Sequence, residues 1–379
     1  MGTKKKKLLI VLTIATAGFL VWFLASGTYQ KYVFMPTGSD LPDGARFSDQ
    51  QSESDIQIVA SGLNIPWAIA ELPGSDLLVT ERPGTLRRIG ENQQTFKISG
   101  VQHAGEGGLL GLALHPDFAK NQRIYLYLTT KTGNGLTNRV ESYIYENDNL
   151  SDKTTIIEGI PGASFHDGGF LAFGPDSKLY ITTGDAGNEQ NAQNKNSLAG
   201  KILRLNPDGS QPADNPFNNV VYSYGHRNPQ GLTWDEQGRL WSSEHGPSGV
   251  TTGEDEINLI KKAGNYGWPL IKGDEKRRDL ISPVAQSGRG ETWAPGAIAY
   301  LNGSLFFAGL RGESLYQAKI ISENDLNIKA HLRGDYGRLR AVMIGSDGFI
   351  YVSTSNRDGR GSVKPNDDKI IKINPDFLN

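Results

Sequence analysis

The loop sequence YSYGHRNPQGLTWD, Tyr222 to Asp235, separates two strand-like runs and carries more chemistry than a turn requires. A hairpin turn draws on Gly, Asn or Asp for their backbone angles and has no use for an arginine and two carboxamides. Besides Arg227 in this loop, Arg311 stands in AGLRGE, and Arg338 and Arg340 stand in YGRLRAV. The last two are two residues apart, which on a strand puts them on one face. Guanidinium groups facing one cavity repel one another unless anions compensate, and their planar forks match carboxylate or phosphate. Taken singly, each arginine also suits a surface ion pair. Together, in loops of the same kind, they point to a polyanionic small molecule.

Two further constellations could act beside such a ligand. His166, in SFHDGGFLAF, sits between an aromatic residue and a pair of glycines just before a strand. A histidine titrates near neutrality and suits general-base work, although a purely structural role fits a lone histidine equally. His115 reads as a turn element, and His226 as a residue that orients its neighbour Arg227. In EHGPSGVTTGEDEINLI, the acids Glu254, Asp255 and Glu256 follow a Gly-Pro step in a glycine-rich loop. Calcium takes about six to eight hard oxygens from carboxylates and carbonyls, so the stretch suits either that ion or a solvated acidic turn. EF-hand spacing is absent.

These residues need elements to hold them, and one pattern supplies the elements. GSDLLVTER, NQRIYLYLTT, DSKLYITTGD, QGRLWSSEHG, NGSLFFAGLR and DGFIYVSTSN are each a turn followed by a β-rich run. The first apolar residues after the turns are Leu77, Ile124, Leu179, Leu240, Leu305 and Ile350, separated by 47, 55, 61, 65 and 45 residues. That period with all-β content predicts a six-bladed β-propeller of about four strands per blade. DIQIVASGL near the start and DDKIIKINPD at the end both read as strands and are expected to share the last blade. In such a ring the loops at one end surround the axis, so scattered segments converge on one site.

The chain of 379 residues has 46 glycines and no cysteine, which excludes disulfides and thiolate metal sites. Four lysines, Lys4 to Lys7, precede an uncharged run from Leu8 to Ala25. Its length is at the lower edge for crossing a bilayer core of ~30 Å. Residues 1–26 are therefore expected to be an N-terminal transmembrane anchor or a signal segment, with everything after them exported. Residues 27–54 are polar and rich in Gly, Pro and Ser and read as a linker. Residues 55–379 form the propeller domain. Without Lys4 to Lys7 the formal charge goes from −2 to −6, which argues against nucleic acid as a partner.

The motifs GEGGLLGLALHPDF, GKILRLNPDG, YGHRNPQGLTW, EHGP…DEINLI…GNYGWP and DGFIYVSTSNRDGRG together resemble the glucose/sorbosone dehydrogenase family over residues 57 to 376. These are soluble-type, PQQ-dependent aldose sugar dehydrogenases on six-bladed propellers. The resemblance implies PQQ and Ca2+ as cofactors, an aldose substrate and an external electron acceptor that the residues do not identify. It implies His166 as the base that takes the anomeric hydroxyl proton, and Arg227 with Asn228 as partners of the quinone oxygens. Arg311, Arg338 and Arg340 correspond to carboxylate clamps, and Glu106 to a position near the cofactor. The carbonyls of Gly246 and Pro247 correspond to ligands of the cofactor-bound calcium, and Asp255, Glu256 and Tyr266 to a second, structural calcium site. There are departures: Phe170 stands where the family commonly has arginine, Asp167 adds an acid beside the base, and Glu106 replaces a glutamine. Glu106 is expected to weaken binding of a trianion unless a cation pairs with it. A calcium-dependent lactonase and a non-catalytic binding propeller are the alternatives. The first calls for carboxylates and Asn around calcium rather than for clustered arginines.

Overall fold

Each of the six repeats becomes the second strand of an antiparallel sheet, and the six sheets are the blades of a propeller. The computed structural model describes residues 46–47, 55–91, 93–247 and 253–378. The blades open with the strands Pro66–Glu71, Leu109–Leu114, Leu171–Phe173, Pro229–Trp234, Pro295–Leu301 and Leu339–Ile344. Each of these touches its counterparts in the two adjacent blades, so together they ring the axis. The second strands LLVTE, LYITT, LWSSE and IYVST are buried throughout. Neighbouring blades cover both of their faces, which is why their apolar residues run on instead of alternating.

The ring closes as expected. Ile56–Ser61 pairs antiparallel with Lys369–Ile373, with Ile56 opposite Ile373 and Ser61 opposite Lys369. The last blade therefore takes its outer strand from the start of the domain. Arg46–Phe47, within the stretch read as a linker, adds two residues of pairing outside it. The expected anchor or signal segment lies outside the described residues. Among the described residues no helix is long and apolar enough to cross a membrane.

Two features of this frame build the site. In an antiparallel meander, loops that precede a first strand and loops that follow a second strand lie at the same end. The loops that carry His166, Arg227, Gly246, Arg311 and Arg338 are of these two kinds, whereas the segment with Tyr266 follows a third strand, Glu256–Ile260. The second feature is a bulge between the first and second strands of five blades, at Pro66/Ala68, Leu109/Leu112, Pro229/Gly231, Pro295/Ile298 and Leu339/Val342. A bulge adds an unpaired residue and re-aims its side chain. Three of these bulges carry Trp67, Gln230 and Arg340. Arg340 Nη1 donates to Gln230 Oε1 at 2.8 Å, and the guanidinium lies 5.5 Å from the centre of the Trp67 ring. Below them the first strands of all six blades line an axial cavity of about 430 Å3 with side chains such as Leu112, Leu171, Leu232 and Val342.

Candidate active site

The GHRNPQG loop supplies the middle of the site. His226 is fully buried and stacks on Tyr266, with ring centres 4.6 Å apart. Its Nδ1 meets Glu244 Oε2 and its Nε2 meets Ser223 Oγ, both at 2.8 Å. The other oxygen of Glu244 accepts the backbone N–H of Arg227. One buried carboxylate thus braces both residues, so it is Glu244, and not the His226 ring directly, that holds Arg227. The Arg227 guanidinium lies over Trp268 at 5.4 Å, and its Nη1 donates to His245 O at 3.4 Å. Asn228 Oδ1 accepts the Gly168 N–H at 3.0 Å, tying this loop to the segment that carries His166.

His166 has a left-handed backbone, φ 61°, and its N–H donates to Glu106 Oε2 at 3.0 Å. Its Nδ1 is 2.8 Å from Asp185 Oδ1. Asp185 also accepts from Gly187 N through Oδ1, and from Trp268 Nε1 through Oδ2 at 2.9 Å. Burial raises the pKa of this carboxyl, but the bonds from His166, Gly187 and Trp268 outweigh it and hold the group below its usual range. An ionised Asp185 can only accept, so Nδ1 carries the proton and Nε2 is left as the basic nitrogen. Asp185 was not singled out in the sequence; its place directly after the strand LYITT in TTGDAG was the available signal.

Positive charge gathers around the axis. Arg82, Arg227, Arg338 and Arg340 are all buried. Burial lowers the pKa of Arg82, Arg227 and Arg340, and the charges of Arg82 and Arg338 add to the effect at Arg340. Guanidiniums keep their protons at neutral pH, so the shifts register charge held out of water, with like charges adding to it at Arg82 and Arg340 but not at Arg227. Arg340 Nε is buried with no hydrogen-bond partner. Arg338 and Arg340 do not share a face as their spacing suggested, because Arg338 precedes the strand and the bulge at Leu339/Val342 breaks the period. Arg338 turns to Asp358 Oδ2 through Nε and Nη2, at 3.0 and 2.8 Å, and to Leu310 O through Nη1. Arg311 lies exposed at the rim beside Leu310.

The departures resolve individually. Glu106 Oε1 meets Arg360 Nη1 at 3.0 Å, so a cation does pair with it, one supplied by the SNRDGRG motif of the last blade. Burial would raise its pKa, yet Arg360 and His166 bring it down to about 2. Phe170 lies 6.5 Å from Trp67 and lines the axial cavity. Asp167 faces away from its neighbour His166: its Oδ1 accepts from Asn138 Nδ2 at 2.9 Å and from Ala163 N at 3.1 Å. Its Oδ2 is buried without a partner, and burial pushes its pKa up to about 7. The charge expected beside the base falls on a core carboxyl that is partly protonated at neutral pH.

That burial has a measurable consequence. Asp167 holds its proton to about pH 7 when folded, against about 4 when unfolded. The folded state is thus favoured below pH 4, and this contribution is lost as pH rises to about 7. Its size is at most roughly 4 kcal/mol. Asp167→Asn keeps an acceptor for Asn138 and Ala163 and cannot ionise. The wild-type melting temperature is expected to fall by several degrees relative to this variant between pH 4 and 8. A pH-independent difference would refute the buried acid.

The expected metal residues divide. Gly246 N donates to Asp255 Oδ1 at 2.9 Å, which braces the step carrying the Gly246 and Pro247 carbonyls. Asp255 Oδ2 accepts from Thr292 Oγ1, Trp293 N and Ala294 N, at 2.8, 2.8 and 2.9 Å. Tyr266 OH accepts from Lys261 N and donates to Leu259 O, both at 2.7 Å. Glu256 Oε2 accepts from Asn258, and burial together with the charge of Glu244 pushes its carboxyl up. The side chains of Asp255, Glu256 and Tyr266 therefore tie strands and loops together. Among the described residues, no cluster of three or more His, Cys, Asp or Glu forms that could hold a metal. Beside Gly246, His245 Nε2 is buried without a partner, and desolvation lowers this imidazole to about 4, leaving it neutral.

Comparison with known proteins bears on this geometry. Residues 63–364 match the family model described as Glucose / Sorbosone dehydrogenase. The chain is 38% identical over 283 residues to quinoprotein glucose dehydrogenase B of Acinetobacter calcoaceticus, covering 64% of this chain and 58% of that enzyme. It is 30% identical over 357 residues to the aldose sugar dehydrogenase YliI of Escherichia coli K12, covering 85% and 93%. A PQQ-bound aldose sugar dehydrogenase from Streptomyces coelicolor superposes with a TM-score of 0.77 at 40% identity, covering 88% of this chain and 99% of that one.

Proposed function

The chain belongs to the glucose/sorbosone dehydrogenase family, and on that premise we propose that it oxidises an aldose at C1 to the lactone with PQQ as cofactor. One observation carries the reading: a buried set of mutually repelling guanidiniums stands beside a histidine whose Nδ1 is locked by a carboxylate. The donor set fits a tricarboxylic quinone. Burial and then like charges bear on both Arg82, from Arg360 and Arg338, and Arg340, from Arg82 and Arg338, and a trianion would relieve both. Arg227, Asn228 and Arg340 would hold the cofactor from within, Arg338 would keep its remaining N–H groups for it, and Arg311 would meet it at the rim.

When bound, PQQ supplies an ortho-quinone that takes up a hydride. His166 Nε2 accepts the proton of the anomeric hydroxyl, and the Asp185 carboxylate stabilises the imidazolium that results. Loss of that proton lets the C1–H leave as hydride, and the C1–O bond of the sugar becomes the lactone carbonyl. Arg227, kept in a dry setting by Trp268 and Glu244, lies ready to balance negative charge that develops next to it. Calcium would be held by the Gly246 and Pro247 carbonyls and act as a Lewis acid there. A second, structural ion at Asp255, Glu256 and Tyr266 would offset the crowding of the buried carboxyls there and take no part in the proton transfer. Export rests on Lys4 to Lys7 followed by the apolar run Leu8 to Ala25.

Purified protein reconstituted with PQQ and Ca2+ is expected to bleach a redox dye when given an aldose, and not to do so without PQQ. Saturable PQQ binding without dye reduction across a broad sugar panel would overturn the dehydrogenase reading in favour of a binding propeller. Hydrolysis of a lactone by PQQ-free protein would instead identify a lactonase.

A further inference from the structure

Phe165 is 43% exposed, one of few large apolar side chains left open to solvent among the described residues. Its position is not incidental. The ring stands edge-on to His166, with centroids 4.8 Å apart. On its other side it lies over Gly187, where even a methyl group would come within 2.9 Å of the ring. Gly187 N in turn donates to Asp185, the carboxylate that locks His166, and the far oxygen of that carboxylate takes the Trp268 indole N–H. Two aromatic side chains therefore stand against the His166–Asp185 pair, Phe165 on the imidazole and Trp268 on the carboxylate. The face of Trp268 is covered by Arg227, whereas Phe165 presents its surface to solvent.

We propose that Phe165 is a specificity-determining residue, its ring stacking against the C–H face of the pyranose whose C1 is oxidised. The proposal rests on the reading of the site as an aldose dehydrogenase. A sugar whose anomeric hydroxyl reaches His166 Nε2 has its ring within the span of a hexose from Phe165. An aromatic face is electron-rich and apolar, and it attracts the weakly polarised axial C–H groups of a sugar. An axial hydroxyl on that face lifts the sugar off the ring and leaves the hydroxyl desolvated against carbon, without a partner. Phe165 thus favours aldopyranoses with equatorial substituents. It sets KM and the preference between epimers rather than the rate of proton removal.

The test compares glucose with its C3 and C4 epimers, allose and galactose, whose axial hydroxyls interrupt opposite faces. In the PQQ-loaded wild type, at least one epimer is expected to show a lower kcat/KM than glucose. In Phe165→Ala the KM for glucose should rise roughly two- to tenfold, kcat should stay within about twofold, and the ratio between sugars should level. Phe165→Trp should restore the preference. A second readout needs no turnover: saturation transfer from cofactor-free protein to the sugar C–H protons should weaken in Phe165→Ala. Unchanged sugar ratios in Phe165→Ala would overturn the proposal. So would an equal loss of kcat for every sugar, which would make Phe165 only a support for His166. A wild type that oxidises no aldose would sink the dehydrogenase reading itself, a distinguishable failure.

Discussion

Replacing His166 by alanine is expected to lower turnover of the PQQ-loaded protein by about a hundred- to ten-thousandfold while PQQ affinity stays within about twofold. The imidazole is the group placed to receive the hydroxyl proton, since Asp185 engages Nδ1 at 2.8 Å and leaves Nε2 basic. It makes no contact with the buried arginines that would hold the cofactor, so the titration of protein with PQQ should be nearly superimposable. Asp185→Asn should give a large part of the same loss, because a carboxamide can donate to Nδ1 and so favours the wrong tautomer. Single-turnover reduction of PQQ by glucose, followed by absorbance, is the measurement. Turnover that survives His166→Ala would remove the histidine from its assigned role and leave the proton without an acceptor among the residues described.

The second large effect separates the buried hub from its rim. Arg340→Met is expected to raise the PQQ dissociation constant by roughly ten- to a hundredfold, the worth of one or two charge-assisted hydrogen bonds out of water. Arg311→Ala should change it by less than about threefold, because charge interactions at an exposed site are screened by solvent and salt. Arg340 lies under the bulge at Leu339/Val342, held by Gln230 Oε1 and the Trp67 face, and is buried. Arg311 stands exposed on the turn after Ser304–Gly309. Calorimetric titration of PQQ into the cofactor-free variants checks the contrast. Equal losses in the two, or a larger one at Arg311, would move the binding energy from the axis to the rim.

Phe170, which stands where the resemblance implies arginine, lines the axial cavity. Its ring lies 6.5 Å from that of Trp67. The glutamate at position 106 is tolerated because Arg360, 254 residues further along, lies against it. The Glu106 change is local in the sequence and is met by a residue from another blade.

Much of this molecule was legible along the chain. Strand periodicity and turn residues act over a few positions, so the six repeats, the closure by the first and last strands and the gathering of polar loops at one end all followed from local spacing. The residue types of His166 and Arg227 in such loops were readable for the same reason. What the chain alone left open was decided across blades. Asp185, Arg82 and Arg360 gain their roles only from neighbours far away in sequence. The bulges that aim Trp67, Gln230 and Arg340 at one another arise from the register between strands, which residue spacing does not encode. Burial settled the acids too: Asp167 and Asp255 look alike as loop carboxylates. Desolvation raises the first into the neutral range, and four hydrogen bonds make the second a brace.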